Sequence, residues 1–272
     1  MKLWFLYQIG LKGNANKMKK ITDMPLLYDL LYQGVVEDIV MYLKIAQPYK
    51  EILEYGAGTG RVTIPLLEAG HSVWAVDLEM KMLNRLNQKV KNKKIRQNLK
   101  LIRANICEYR APQKFSCIIV PLTTFNYLLT LEQQNNCLKG IYDNLANDGI
   151  AVIELLSLKT FGKNDEKLQF VKNIKIDDET NYQYFRKTKL DLAKRSIKQK
   201  RVFKLFKKNV QIDTQELIWI NRFVTIDDFS KLCAQNNLEI VNIFGDCQMN
   251  TYDAKSEDVF LIIKKKKIKK NK

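Results

Sequence analysis

The sequence predicts an α/β fold, in which a mainly parallel sheet is covered by helices on both faces. Three observations lead to this prediction. Short apolar runs alternate along the chain with segments in which apolar residues recur at helical spacing. The apolar runs are nearly continuous, as is typical of strands that are buried on both faces. Glycines stand at every second position, at 56, 58 and 60, in the loop after the first strand-like run.

The elements of the first part of the chain follow in order from these patterns. Residues 26–46 carry apolar groups at helical spacing with polar breaks, which predicts one or two amphipathic helices. Gly70 closes the helix after the glycine loop, since glycine is common just beyond a helix end. The assignments are a strand at 52–55, a helix at 61–70, a strand at 72–77, a helix at 78–90, strands at 99–105 and 115–121, a helix at about 131–146 and a strand at 150–156.

Residues 157–224 break this alternation of strands and helices. The segments 181–192, 198–206 and 215–223 show partial alternation of apolar and polar residues, which predicts antiparallel strands. One more helix and a closing pair of strands are expected after this region. The predicted domains are an N-terminal arm at 1–25, a core at 26–156 and 225–264, an antiparallel insertion at 157–224 and a basic tail at 265–272.

The formal net charge of +17 is concentrated in two short stretches. Eight cations lie between Lys194 and Lys208, and seven lysines lie between Lys264 and Lys272. Without these fifteen cations a formal charge of +2 remains. Lysine-rich ends are usually solvated, and a basic surface attracts phosphate without specificity. Nucleic-acid binding is therefore disfavoured, although it stays open.

The cysteines indicate neither a disulfide framework nor a metal site. Five cysteines are scattered without a C-x-x-C pair or a companion histidine cluster. This usage predicts a reduced, cytoplasmic protein without a bound metal. The apolar run near the N-terminus is too short to span a bilayer and lacks a small-residue cleavage site, so we expect no membrane association.

The stretch EILEYGAGTGR at 51–61 indicates the class of ligand. It joins a predicted strand to a helix, and open α/β sheets bind ligands at the carboxyl ends of their strands. A dinucleotide loop would have the spacing G-x-G-x-x-G, but position 61 is an arginine. Glu54 precedes the first glycine by two positions, and Asp77 ends the second strand, where a carboxylate can bind ribose hydroxyls. This arrangement suits a nucleoside with a cationic amino-acid tail.

Three motifs carry a resemblance to a known family. YDLLY at 28–32, ILEYGAGTGR at 52–61 and PLTTFNYLLT at 121–130 resemble segments of class I S-adenosylmethionine-dependent methyltransferases. The similarity extends over nearly all of residues 28–264. It is strongest to the bacterial branch that methylates nitrogen in small molecules and peptides. The resemblance implies a Rossmann-like, seven-stranded sheet with an antiparallel last strand, and a small β cap after the fifth strand that covers the substrate.

The resemblance also implies roles for individual residues. Glu54 and the glycine loop would hold the methionine end of S-adenosylmethionine, Asp77 its ribose, and Leu78 with Met82 would flank the adenine. The chain departs from the family at Asn105, where an aspartate is usual, although an amide could still bind the adenine amino group. The complete set of cofactor-binding candidates is Tyr32, Glu54, Gly56, Gly58, Gly60, Arg61, Asp77, Leu78, Met82, Asn105, Ile106, Pro121 and Phe125.

Three residues are candidates for the chemical step. Methyl transfer from a sulfonium is an in-line displacement, which needs a closely held nucleophile but no covalent enzyme intermediate. Tyr28 and Tyr127 could face the positive charge of the cofactor, to which aromatic rings are suited. An amine must lose a proton, and Glu154 on the fifth strand could accept it or could only bind a buried backbone group. His71, the only histidine, begins the second strand at the opposite edge.

The expected activity is methyl transfer to an amine of a small metabolite or a modified peptide. RNA modification through the basic insertion and tail stays open, although VPLTTF replaces the Asn/Asp-Pro-Pro-aromatic motif of nucleic-acid aminomethyltransferases. A cofactor-binding module without catalysis is a second alternative, and Arg61 argues against an NAD-dependent oxidoreductase. In the insertion, Arg186, Trp219 and Arg222 could meet an anionic or flat substrate, but the pattern leaves open which face they occupy.

Overall fold

A computed structural model describes residues 24–161 and 164–267. Most of the predicted arm at 1–25 lies outside the described residues, as does the end of the predicted basic tail, 268–272. The helices are α1 (Met24–Leu31), α2 (Glu37–Ala46), α3 (Thr63–Glu68), α4 (Met80–Val90), α5 (Leu131–Asn144), α6 (Leu158–Phe161) and α7 (Ile226–Gln235). The strands are β1 (Glu51–Tyr55), β2 (Ser72–Asp77), β3 (Leu99–Arg103), β4 (Phe115–Val120), β5 (Leu145–Leu155), β6 (Gln169–Lys175), β7 (Thr180–Asp191), β8 (Ser196–Lys207), β9 (Val210–Arg222), β10 (Leu238–Phe244) and β11 (Val259–Lys265).

The chain separates into two compact units. The core unit comprises residues 34–160 and 223–267, and the sheet unit comprises residues 24–33 and 164–222. The second segment of the sheet unit thus begins close to residue 156, the predicted end of the first core segment. The sheet unit also includes α1. The sequence pattern places α1 in the core, whereas its buried leucines pack on the antiparallel strands of the sheet unit.

Seven strands of the core unit form one sheet in the order β10-β11-β5-β4-β1-β2-β3. Strands β1 to β5 run parallel, and β11 lies antiparallel to both β5 and β10. The apolar runs of the sequence are the inner strands, where Ile52, Ile119 and Val152 have no exposed surface. A sheet of this order with helices on both faces is the Rossmann-like, seven-stranded arrangement that the sequence predicts.

The helix before β5 shows how local signals set the element boundaries. Thr130 caps α5, since its hydroxyl accepts a hydrogen bond from Gln133 N while the Gln133 side chain accepts one from Thr130 N. The helix ends at Asn144, two residues before the predicted end. Leu145 already pairs with Phe115 of β4, and the register shifts before the next paired residue. Residues 147–149, between the predicted helix and the predicted strand at 150–156, are therefore an irregularity inside a longer strand.

The sheet unit is built from the four antiparallel strands β6 to β9. One face of this sheet packs on α1, and the shared apolar cluster contains Leu27, Leu31, Tyr184, Phe203 and Leu217. Three of the four strands coincide with the predicted segments. The first, β6, was missed because its residues are mostly exposed and show no regular alternation. The fold class predicted from the sequence, a seven-stranded sheet with an antiparallel insertion after the fifth strand, is confirmed.

The glycines of the turn after β1 are required largely by the protein's own packing. Gly56, Gly58 and Gly60 have φ values of +73°, +56° and +90°, a region that favours glycine. A Cβ on Gly56 would lie 2.5 Å from the Thr124 side chain. A Cβ on Gly60 would overlap Leu86 of α4. The motif predicts ligand contact at all three glycines, whereas Gly56 and Gly60 are explained by close approach of neighbouring side chains.

The close packing of Gly60 leads to a test of stability. We expect Gly60→Ala to lower the free energy of unfolding by about 3 kcal/mol, because it adds backbone strain and overpacks the fully buried Leu86. Gly70→Ala is the matched control, since Gly70 has a φ of +95° but no described atom within 4 Å of the position that a Cβ would take. It should cost only about 1 kcal/mol, from backbone strain alone. Urea unfolding measures both, and equal losses would contradict the packing explanation.

Candidate functional site

Three acidic residues lie at the carboxyl edge of the parallel strands. Glu54 is on β1, Asp77 ends β2 and Glu154 is on β5. The register pairs Glu54 with Ile119 and Ile119 with Val152, so Glu54 and Glu154 point to the same face of the sheet. The sequence places acids at the ends of neighbouring buried strands, and the parallel topology brings them to one edge.

Glu54 is a buried carboxyl group with one hydrogen-bond donor from α3. Only 1% of its surface is exposed, and its Oε2 accepts a hydrogen bond of 2.6 Å from the Thr63 hydroxyl. Burial raises the pKa of Glu54 to about 8, although the Thr63 bond and the nearby Arg61 act against the shift. A cation brought next to Glu54 would restore its ionised form, so this position is suited to an ammonium group.

Asp77 fixes the glycine turn against the end of β2. Its Oδ2 accepts a hydrogen bond from Gly58 N, and its Oδ1 accepts one from Glu79 N, both at 2.8 Å. Burial raises the pKa of Asp77 while these backbone bonds act against the shift. Each carboxylate oxygen has a second lone pair, so the group can also accept hydrogen bonds from hydroxyls.

Arg61 makes an ion pair within the protein. Two of its nitrogens donate to the Asp38 carboxylate, at 2.7 and 2.5 Å, and both side chains are about 10% exposed. This bidentate pair connects the glycine turn to α2. The guanidinium of Arg61 contacts Asp38, and the predicted role of Arg61 in binding the cofactor stays a prediction.

Glu154 connects β5 to two other segments of the core unit. Its Oε2 accepts hydrogen bonds from the Tyr42 hydroxyl at 2.9 Å and from Leu122 N at 2.7 Å. Burial raises the pKa of Glu154 to about 7, and the Asp38 carboxylate contributes to the shift. The bond from Leu122 N is the backbone contact that the sequence analysis gave as one alternative for Glu154. The carboxylate keeps further lone pairs, so it can also accept a proton.

The segment after β4 is strained next to Glu154. Leu122 and Thr123 have φ values of +50° and +54°, which non-glycine residues rarely adopt. Such strain clusters at functional sites because the surrounding structure must maintain it. Two bonds that the Pro121 carbonyl accepts, from the backbone N and the hydroxyl of Thr124, hold the turn.

The aromatic candidates of this segment separate into two groups. Phe125 has no exposed surface and packs edge to face on Phe229 with ring centroids 5.2 Å apart. It is a core residue in this structure, and its assignment as a cofactor contact stays a prediction. Tyr127 is partly exposed at the end of the same turn, and its role stays a prediction.

The candidates for the adenine site are less constrained. Leu78, Met82 and Ile106 are all partly exposed. Both side-chain atoms of Asn105 make local hydrogen bonds: Oδ1 accepts from Cys107 N, and Nδ2 donates to Glu108. These bonds stabilise the turn after β3, so an adenine contact of Asn105 stays a prediction.

Two tyrosine candidates belong to the sheet unit, and the histidine belongs to the core unit. Tyr28 and Tyr32 belong to the sheet unit, where their ring centroids are 4.7 Å apart. Their proposed roles at the cofactor stay predictions. His71 lies at the amino edge of the core sheet, and its Nδ1 is 2.7 Å from the carbonyl oxygen of Tyr49. This is the position expected from the sequence, away from the acidic residues.

Sequence reasoning missed two residues of α2 that complete this site. Asp38 and Tyr42 are one helical turn apart, so they lie on the same face of α2 and contact Arg61 and Glu154 respectively. Their spacing of four in EDIVMY was a usable signal. It was not used because the segment was interpreted only as an amphipathic helix.

Comparison with protein families identifies the region around the glycine turn. The profile of a family described as a methyltransferase domain matches residues 52–149. This range includes Glu54, the glycine turn and Asp77.

Residues 52–149 are therefore similar to methyltransferase domains.

The chain matches only part of the length of its curated relatives. A protein of Geobacillus sp. (strain WCH70) assigned as a methyltransferase is 26% identical over 153 residues, which are 53% of this chain and 60% of that protein. A ribosomal RNA small subunit methyltransferase of Arabidopsis thaliana is 32% identical over 114 residues, which are 41% of this chain and 29% of that protein. The chain thus matches less than two thirds of either relative.

Solved structures share the fold over almost the whole chain. The sugar N-methyltransferase KedS8 from Streptoalloteichus sp. superimposes with a TM-score of 0.71, covering 94% of this chain and 97% of that chain at 10% identity. The resemblance of the sequence to class I S-adenosylmethionine-dependent methyltransferases is therefore confirmed at the level of domain family and fold. Within residues 24–161 and 164–267, no helix is both long and apolar enough to cross a membrane.

The ion pair between Asp38 and Arg61 leads to a second test. We expect Asp38→Asn to lower the free energy of unfolding by about 3 kcal/mol, because it leaves the Arg61 guanidinium in a nearly buried position without its carboxylate. Glu68→Gln removes the exposed pair with Lys93, whose side chains are about half exposed, and should cost less than about 1 kcal/mol. Thermal and urea unfolding compare the two, and similar losses would show that the Asp38 pair is not structural.

Proposed function

We propose that this chain binds S-adenosylmethionine and transfers its methyl group to an amine nitrogen of a small metabolite or a modified peptide. The observation that carries the proposal is Glu154, a buried carboxyl group with a pKa raised to about 7 on the same sheet edge and face as Glu54. A carboxyl group with a pKa near neutrality is suited to exchange a proton with an amine.

The residues of the glycine turn fit the cofactor. Buried Glu54 would pair with the ammonium of the methionine end, and Gly58 would allow that end to lie close to the backbone. Asp77, which already holds the turn through Gly58 N, would accept hydrogen bonds from the ribose hydroxyls. When bound, the cofactor supplies an electrophilic methyl group on a sulfonium.

Glu154 would act on the amine. Its ionised carboxylate would accept the proton that the attacking nitrogen must lose, while Tyr42 and Leu122 N hold the carboxylate in a fixed orientation. Tyr28 and Tyr127 remain candidates for the walls around the positive charge. The likeness in fold to a sugar N-methyltransferase supports nitrogen as the acceptor atom.

A cytoplasmic location belongs to the same proposal. All five cysteines are free thiols, four of them buried, which suits a reducing compartment. The compartment can be checked by immunolocalisation of the tagged full chain.

The function can be tested with cofactor that carries a labelled methyl group. The purified full chain is incubated with host extract, which is then separated into small-molecule, peptide and RNA fractions. Label in the small-molecule or peptide fraction, lost with Glu154→Gln, would support the proposal. Label in RNA would indicate that the basic insertion binds the substrate. Cofactor binding without any label would indicate a binding module without catalysis.

The pKa of Glu54 predicts a pH dependence of cofactor binding. With a pKa of about 8, Glu54 is mostly protonated at pH 7, and a bound ammonium favours its ionised form. Binding at pH 7 should therefore release a proton, and the affinity should rise as the pH increases towards about 8. Calorimetry in two buffers of different ionisation enthalpy measures this release.

Two variants make the assignment specific. Glu54→Gln should bind the cofactor more weakly and release no proton at this position. Glu51→Gln, on the exposed end of the same strand, should retain the release. If Glu51→Gln and Glu54→Gln behave alike, Glu54 does not contact the ammonium.

The pKa of Glu154 predicts the pH dependence of the rate. The rate should rise through a pH of about 7 as Glu154 loses its proton, and Glu154→Gln should lower kcat by about a hundredfold and abolish that inflection. Tyr42→Phe removes a donor that stabilises the carboxylate, so it should move the inflection to higher pH and retain most of the maximal rate. A Glu154→Gln enzyme with the unchanged rate profile would remove Glu154 from the reaction.

A further inference from the structure

The face of the sheet unit that packs on α1 changes from apolar to polar along its strands. On β8 the side chains of Ile197, Gln199, Arg201, Phe203 and Leu205 point to this face, since alternate residues share one side. Phe203 and Leu205 belong to the apolar cluster that contains α1. Towards the N-terminal end of β8, Gln199 and Arg201 are polar but also buried.

Arg201 is a buried cation with neutral partners. It is 8% exposed, its guanidinium lies over the Trp219 ring with Cζ 3.1 Å from the centroid, and its Nε and Nη2 donate to Gln199 Oε1 at 3.1 and 2.6 Å. Among the described residues of strands β6 to β9, the carboxylate that points to the face of Arg201 is that of Asp213. Asp213 pairs with Leu205, at the other end of β8 from Gln199 and Arg201. A guanidinium that is withdrawn from water without a carboxylate is costly unless an anion binds it.

Two further donors on the same face have no partner among the described residues. The side chains of Trp219 and Asn221 are 7% and 4% exposed, and both are on β9. The register places Trp219 opposite Gln199, where its ring contacts Arg201, and Asn221 opposite Ile197, two residues further along the same face of β9. Within the part of the chain that the structure describes, Trp219 Nε1 and Asn221 Nδ2 are buried without a hydrogen-bond partner. Unpaired buried donors are rare and indicate a missing acceptor. We call Gln199, Arg201, Trp219 and Asn221 the Arg201 cluster.

A second arginine strengthens the positive field of this cluster. Arg186 on β7 stands directly opposite Arg201, and like charges in this arrangement repel each other. Both guanidinium groups act on the neighbouring Tyr184, where they lower its pKa against the effect of burial.

The other face of the same strands has ordinary solvated charges. Lys198 is exposed, and Lys200 pairs with Glu216 across the strands at 2.8 Å with both side chains about 40% exposed. Arg222 pairs with Ser196 and so lies on this outer face. Of the three residues that the sequence suggested for substrate contact, Arg186 and Trp219 therefore face inward with the Arg201 cluster and Arg222 does not.

We propose that the Arg201 cluster binds an oxyanion, a carboxylate or a phosphate. The cluster presents a guanidinium and neutral N–H donors along one face of the sheet unit, and these are the groups that recognise carboxylate and phosphate oxygens.

Binding of the oxyanion can be measured without methyl transfer. The tryptophans of the chain are Trp4, Trp74 and Trp219, so the full chain with Trp4→Phe and Trp74→Phe reports on Trp219 alone. Acetate and inorganic phosphate are titrated at constant ionic strength against chloride, and the Trp219 fluorescence is followed. We expect a saturable change with at least one of the two anions, and which one it is distinguishes a carboxylate from a phosphate. No saturable change with either anion would overturn the proposal.

Matched variants locate the site. Arg201→Met should weaken anion binding at least about tenfold, because it removes a charge-assisted donor. Lys198→Met removes the same charge from the outer face of the same strand and should leave binding unchanged. Equal effects of the two substitutions would mean that only the general positive charge matters, and would contradict the proposal. Circular dichroism checks that Arg201→Met is folded, and Arg201→Lys, which retains the charge but not the paired donors, should be intermediate.

Discussion

The carboxyl group of Glu154 joins three parts of the core unit that are distant in sequence. It lies on β5, accepts a hydrogen bond from Tyr42 of α2, and accepts another from the backbone of Leu122 after β4. The strained turn at 122–123 depends on this acceptor, since a left-handed backbone persists only where the surroundings maintain it. Through α2 the same network continues to Asp38 and the glycine turn. The geometry of the whole sheet edge therefore depends on one buried acid.

Burial has different consequences for the two acids that share this face. Glu54 has a single hydroxyl donor, from Thr63, whereas Glu154 has both a hydroxyl and a backbone N–H. Burial raises the pKa of both acids, and each donor stabilises the ionised form against that effect. The difference suits two tasks, because one acid would stay next to a permanent cation and the other would exchange a proton.

Local sequence patterns were sufficient for the order of strands and helices and for the acids at the strand ends. Continuous apolar runs predicted β1, β2 and β4 because such strands are buried on both faces. Long-range contacts could not be read in this way. Nothing in the sequence near Arg61 shows that Asp38 approaches it, or that Phe125 packs on Phe229 of α7. The exposed strand β6 was missed because a solvated edge strand needs no regular apolar pattern.

The sheet unit is discontinuous along the chain, and this has a consequence for synthesis on the ribosome. Helix α1 emerges first, but the strands on which its leucines pack follow only after the first five strands of the core unit. During translation the apolar side of α1 therefore stays without its final partner while the parallel sheet is still growing. The sheet unit is completed only at the end of β9, and transiently exposed apolar surface of this kind favours aggregation until then.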